Sequence, residues 1–386
     1  MIYVVPSLGP LLKSAYNISP AEIGTIVGVS WIGVCTTSMI FGMYGDRIGI
    51  RRILLVAHAI QTVSLVFASF TNSYLGILLA FFGVGVGYSA VTPLTSKMII
   101  DRFPANQRGS IMGFKQTGVV VGSTVAGLIL PTIGVSYGIH AAFLTCAFIV
   151  LATSVVIFLY KEEKISKELE NNKDGPSFRA IKNAFHNKRI VSLGLMGILF
   201  AAVQAATLGY TTLYLQHNLN FSPVLAGYLL SVVSVMGVLS RPFFGAVSDR
   251  LLHGNGVQTL FFVAMVSTGS LLAVSRLSTA TPFWAVVIVM AVLGFGALGW
   301  NAVFLSFVGE ISSRGSEGMG TSTAFSIAMT GQVVGAPLFG TIVDSKLGYA
   351  GAYEIYSAGI FASSSVCLVL FNKWAKKTRV QIPDEK

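Results

Sequence analysis

The segment Gly42-Met43-Tyr44-Gly45-Asp46-Arg47-Ile48-Gly49-Ile50-Arg51-Arg52 places one acid, three arginines and closely spaced glycines between two apolar stretches. Glycines let helices approach closely. Asp46 can accept hydrogen bonds from the N-terminus of a neighbouring helix, and Arg47, Arg51 and Arg52 can pair with carboxylates at adjacent helix ends. Such groups hold helices together and release them; they do not make or break covalent bonds. The composition suggests a short, charged, tightly turned loop at a membrane surface. A weaker copy, Gly245-Ala246-Val247-Ser248-Asp249-Arg250, follows 203 residues later, with Asp249 and Arg250 in the positions of Asp46 and Arg47.

Lys115 lies seven residues past Arg108, about 10 Å into an apolar segment if that segment is helical. An ammonium at that depth is costly and marks a functional position by default. Its natural use is to attract an anion; the competing reading is a lysine that reaches back to the headgroups. Lys115 shares a helical stripe with Gly118, Gly122 and Ala126. Gly118 and Gly122, with their later counterparts Gly331 and Gly335, are expected to be helix-packing positions. Tyr88, its counterpart Asn301, Trp300, Gln116, Gln204 and Tyr210 lie within apolar stretches. Each can hydrogen-bond a solute in a central cavity or only a neighbouring helix. Lys97 and Glu310 are equivalent at an offset of 213 and stand near span ends, as gate charges or as snorkelling ones.

Other chemistry finds no support. Cys35, Cys146 and Cys367 are isolated in apolar surroundings, and the five histidines are scattered, so no metal site is expected. There is no glycine-rich phosphate-binding loop, no cofactor motif and no nucleophile–base pair within the spans, which argues against an enzyme. No Asp or Glu lies deep in an apolar stretch, so a buried carboxylate proton carrier is not visible, and His58 is the alternative.

The elements that must position these residues are membrane helices. Apolar residues make up 53% of the chain and charged ones 11%, against about a quarter charged in soluble domains. Eleven stretches are long enough to cross a bilayer: about 20–42, 53–71, 74–99, 109–133, 138–160, 190–215, 223–245, 257–277, 282–308, 318–342 and 350–372. A twelfth, 1–16, is too short. With 42–52 assigned to the cytoplasm, 20 of the 26 Lys and Arg fall on cytoplasmic loops and the tail. The net charge of +11 therefore encodes orientation and is not a nucleic-acid signal. Ser19-Pro20-Ala21-Glu22 reads as a capping box, which accounts for Glu22.

The chain is a repeat. Ser19-Pro20, Gly24, Gly42, Asp46 and Arg47 match Ser222-Pro223, Gly227, Gly245, Asp249 and Arg250 at an offset of 203. Gly83, Gly118, Gly122 and Gly127 match Gly296, Gly331, Gly335 and Gly340 at 213. Four regions follow: an N-terminal bundle at 1–160, a cytoplasmic linker at 161–189, a C-terminal bundle at 190–375 and a cytoplasmic tail at 376–386. The seventh span begins near Ile190, so the same offset would start the first about 13 residues before Met1. The first helix is thus expected to be incomplete.

The Gly42–Arg52 segment and its copy resemble the signature loop of the major facilitator superfamily of secondary transporters, and the resemblance covers essentially all 386 residues. It implies an all-α membrane protein of twelve transmembrane helices in two pseudo-symmetric six-helix bundles, working by alternating access. The implied cytoplasmic gate comprises Gly42, Gly45, Asp46, Arg47, Arg51 and Arg52, with Asp249, Arg250 and Glu310. The implied midplane solute site draws on Lys115, Gln116, Tyr88, Asn301, Trp300, Gln204 and Tyr210. A proton is the commonest coupling partner in the superfamily. Residues Arg108 to Pro131, with Gly113-Phe114-Lys115-Gln116-Thr117-Gly118, are similar to facilitators related to cyanate permeases and organic-anion carriers. They depart from that group in having Val119-Val120 where Val-Pro is common. The expectation is a monomeric permease or symporter in the cell (plasma or inner) membrane, carrying a small anionic organic or inorganic solute. The rival is a drug or metabolite efflux antiporter of the same fold, which Gly122-Ser123 in place of Gly-Pro disfavours.

Overall fold

The computed structural model describes residues 4–102, 105–159, 187–252, 255–311 and 317–380. Within them the side chains of 39–40, 42–47, 92, 96–97, 100–102, 105–110, 112–114, 116–117, 119–120, 249, 317–322 and 375–380 lie outside the description. The expected linker up to residue 186 and the tail beyond 380 lie outside it as well.

Among the described residues the chain forms fourteen helices and no strand. They are α1 Val4–Tyr16, α2 Pro20–Ile48, α3 Ile50–Phe70, α4 Tyr74–Ser89, α5 Val91–Arg102, α6 Ala105–Tyr137, α7 Ile139–Leu159, α8 Lys188–Leu219, α9 Pro223–Arg250, α10 Gly256–Ser275, α11 Phe283–Leu298, α12 Trp300–Ile311, α13 Glu317–Asp344 and α14 Gly348–Val380. α4 with α5, and α11 with α12, each make one interrupted span, which leaves twelve segments, six in each half. Nine spans among the described residues are long and apolar enough to cross a membrane.

The interruptions have local causes. Pro93 cannot donate to the carbonyl of Ser89, and its ring collides with that carbonyl, so α4 stops there. α11 stops at Gly299, a poor helix former, where the Phe244 ring leaves no room for a Cβ. The capping box at the start of α2 is present: Glu22 N–H donates to Ser19 Oγ at 3.2 Å, and Ser19 N–H to Glu22 Oε2 at 2.7 Å.

The signature segment is even shorter as a turn than its composition suggests. α2 stays helical to Ile48 and α3 starts at Ile50, so Gly49 alone makes the turn, at φ 102° and ψ 141°. An L-residue is strained there, and glycine is not. The charged run is thereby shared between two helix ends. Arg51, at the start of α3, donates to the Phe158 carbonyl at the end of α7 and lies 5.0 Å from the Phe158 ring centroid.

The halves meet at two repeat-equivalent crossings, α2 on α13 and α6 on α9, and α1 also packs on α8, where Thr212 Oγ1 donates to the Pro6 carbonyl at 2.6 Å. In each crossing, glycines of one helix lie against the backbone of the other. A Cβ on Gly24 would come within 2.4 Å of the Ala336 carbonyl oxygen, and one on Gly227 within 2.4 Å of the Gly127 oxygen. A proline ring covers a glycine in both, Pro337 over Gly28 and Pro131 over Gly227. Both crossings use the N-terminal ends of α2 and α9, away from the signature segments. The main core runs through both halves, whereas a second cluster of Ile50, Ile53, Leu54, Ala57, Ala90 and Leu94 belongs to the N-terminal half alone.

Candidate functional site

Beyond the crossings the two halves part. Cys35 lies 11 residues past Gly24, back on the same face of α2 at about 100° per residue, yet it is exposed. On α9, Gly245 lies on the face of Gly227, and a Cβ there would meet nothing within 4 Å. A cleft therefore opens between the halves at the end that carries the signature segments, and the opposite end is sealed.

Three of the sequence-predicted solute residues come together at mid-helix depth. Gln204, in the middle of α8, accepts from Trp300 Nε1 at 3.0 Å and from Asn301 Nδ2 at 3.1 Å, both at the start of α12. Trp300 is fully buried, stacked on Phe200 with centroids 5.5 Å apart. Asn301 is half-buried, as is Tyr88, its counterpart beside the break between α4 and α5. The two interrupted spans thus bring a polar side chain from each half to the same level. This arrangement can offer amide and hydroxyl groups to a small polar solute.

Tyr210 belongs elsewhere. It is fully buried at the sealed end, with its hydroxyl 2.5 Å from the Pro20 carbonyl oxygen and 3.0 Å from that of Ala336. It ties α8 to α2 and α13 and takes no part in the cleft. His58 Nδ1 meets the carbonyl of Leu54 in its own helix at 2.9 Å.

The glycine stripe divides between the halves. Gly331 and Gly335 pack on α8; a Cβ would lie 2.1 Å from the Ile198 oxygen and 2.5 Å from Ala202 Cα. Gly118 and Gly122 do not have the packing role expected of them, because a Cβ on either would meet nothing within 4 Å. Lys115 is half-buried on the same face. Its counterpart, Ala328, packs on Gly197 of α8.

Gly42, Gly45, Asp46 and Arg47 lie in the last turns of α2 at the open end, with their side chains outside the described residues, as are those of Lys97, Gln116 and Asp249. Arg52, Arg250 and Glu310 are exposed. A residue not singled out from the sequence is Arg241. It is half-buried on α9, 14 residues past Gly227 and within about 40° of its face, so it stands on the cleft side. The sequence signal was an arginine deep in an apolar span, on the stripe that Gly227, Ser231 and Gly245 define.

A profile described as Major Facilitator Superfamily matches residues 1–336. Among curated proteins, the chain is 23% identical to "Riboflavin transporter RibZ" of Clostridioides difficile (strain 630), over 93% of this chain and 90% of that protein. It is 20% identical to "Hexuronate transporter" of Bacillus subtilis (strain 168), over 94% and 88%. Among solved structures, nucleoside transporter NupG superposes with a TM-score of 0.76 at 13% identity, covering 96% of each chain. A D-xylose-proton symporter gives 0.72 at 15%, covering 95% and 93%.

Proposed function

The chain belongs to the Major Facilitator Superfamily and is a multi-pass membrane transporter, and we propose that it moves a small anionic solute by proton-coupled alternating access. The observation that carries the reading is the cleft, sealed at one end by paired crossings and open at the other, with a basic side chain on its wall. The positive-inside distribution supports a cytoplasmic open end, and on that orientation this is the inward-facing state. The signature residues Asp46 and Arg47 then sit where the cleft must close when the transporter faces outward.

Arg241 supports an anion over a cation or a neutral drug. A guanidinium offers a fixed fork of donors to a carboxylate, and a charge this deep in a span is a functional position by default. No acidic residue lies in the middle of a described span to serve a cation. Lys115 supplies a second positive charge at similar depth on α6, and Gln204, Asn301 and Tyr88 supply neutral hydrogen bonds. The likeness of 108–131 to organic-anion carriers and the hexuronate name of one relative point the same way. The proton-symporter name of one structural neighbour supports the coupling.

Uptake into proteoliposomes of a radiolabelled hexuronate and nicotinate, set against riboflavin and a cationic dye, tests the reading. We expect uptake of the anions, a fall of about ten- to a hundredfold for Arg241→Gln, corresponding to one lost charged hydrogen bond, and a smaller fall for Lys115→Ala. A protonophore should abolish accumulation. Transport of the dye alone, with Arg241→Gln indistinguishable from wild type, would overturn the anion assignment; indifference to the protonophore would overturn the coupling.

A further inference from the structure

The N-terminus of α2 is capped by both halves of the molecule. A helix begins with backbone N–H groups that lack partners inside it. Here Pro20 has no N–H, Glu22 donates to Ser19 Oγ, and Ile23 donates to the Ser19 carbonyl at 3.1 Å. Ala21 is the one that the local cap leaves over. Its N–H donates at 3.0 Å to Oδ2 of Asp344, 323 residues away.

Asp344 is the last residue of α13, where its charge opposes the negative end of its own helix dipole. Against the first turn of α2 it meets the positive end of another. The backbones are close enough to fix this geometry: a Cβ on Gly340 would lie 2.6 Å from Ala21 Cα. Lys13, His217 and Tyr349 line the same shallow cavity as Asp344. At the 213-residue offset the counterpart of Asp344 is Pro131, which has no side-chain acceptor, so the sister crossing of α6 and α9 lacks this bond.

We infer that Asp344 is a latch on the sealed end. Its carboxylate completes a helix cap that exists only while α2 and α13 are together, so each opening of that end must break a charge-assisted hydrogen bond. The inference rests on the two crossings and is independent of the solute.

Ser231 provides the reporter. It is buried at the sister crossing, with its Oγ donating to the Thr124 carbonyl at 3.0 Å, so a thiol introduced there reacts only when the sealed end opens. In a Cys35→Ser background, with Cys146 and Cys367 buried, the rate at which a polar maleimide labels Ser231→Cys protein follows the population of the opened state. Adding Asp344→Ala should raise that rate about two- to fivefold, the scale of one helix-terminus charge interaction. Ala21→Pro, which removes the donor within the first helical turn, should raise it at least similarly, and the two together should add little. An unchanged or slower rate for Asp344→Ala, or full additivity of the two substitutions, would overturn the latch.

Discussion

Gln204 holds two donors on one oxygen, so it is the residue on which the mid-depth cluster depends. Gln204→Leu keeps roughly the volume but strands the Trp300 indole N–H, which is fully buried, and the Asn301 amide. Stranding a buried donor costs about 1–3 kcal/mol. A lower unfolding midpoint in detergent and loss of solute binding are the expected outcomes. Asn301→Ala, which leaves Gln204 satisfied by Trp300, should impair binding with a smaller effect on the midpoint. That Gln204, Trp300 and Asn301 deserved attention was legible from polar side chains in apolar spans. Their mutual bonding was not, because it joins residues about 97 positions apart on different helices. Tyr210 shows the limit more plainly. Periodicity gives its azimuth on α8, but only packing shows that this azimuth meets Pro20 and Ala336.

At the scale of helices, two glycines of the same stripe should respond oppositely to the same change. Gly122→Ala meets open space and gains helix propensity worth about 1 kcal/mol, so the protein should become slightly more heat-resistant. Gly331→Ala drives a methyl against the Ile198 carbonyl, an overpacking cost of about 1–3 kcal/mol, and its unfolding midpoint should fall. Equal responses would show that α6 and α13 do not differ in what lies beside them. The sequence paired the two stripes as repeats, Gly118 with Gly331 and Gly122 with Gly335, but could not say what each glycine touches. Helix boundaries fared better: the capping box at Ser19 and the spans from 74 and 282 are where the residues put them. The breaks within those two spans leave no mark in the hydropathy, although Pro93 signals the first. The tight signature turn was legible in its glycines; that Gly49 alone, at positive φ, reverses the chain and leaves the charges on two helix ends was not.

For the molecule as a whole, the internal repeat announced two bundles, and the paired crossings follow from it helix by helix but not contact by contact: Gly24 faces Ala336, whereas its counterpart Gly227 faces Gly127, the counterpart of Gly340. Which end is sealed was not legible, since one sequence must serve both states of a transporter. The crossings can be unbalanced deliberately. Gly227→Val places its branched side chain within the 2.4 Å gap to the Gly127 oxygen, so the sealed end should close poorly, at a cost of about 1–3 kcal/mol. Solute flux through reconstituted vesicles should collapse while the yield of folded protein stays near normal. Undiminished flux would mean that the α6–α9 crossing is not part of the cycle. The wall of the cleft also carries a vulnerability. Of the three thiols, Cys35 alone is exposed, and it stands on the face of α2 that must swing back toward α13 when the open end shuts. Modification there acts as a wedge. A bulky adduct delivered from the signature side would jam the carrier with that side open, whereas the same reagent offered across the membrane would find the thiol hidden. Inactivation by thiol reagents should therefore be one-sided, and the side that poisons the protein identifies which compartment the cleft faces.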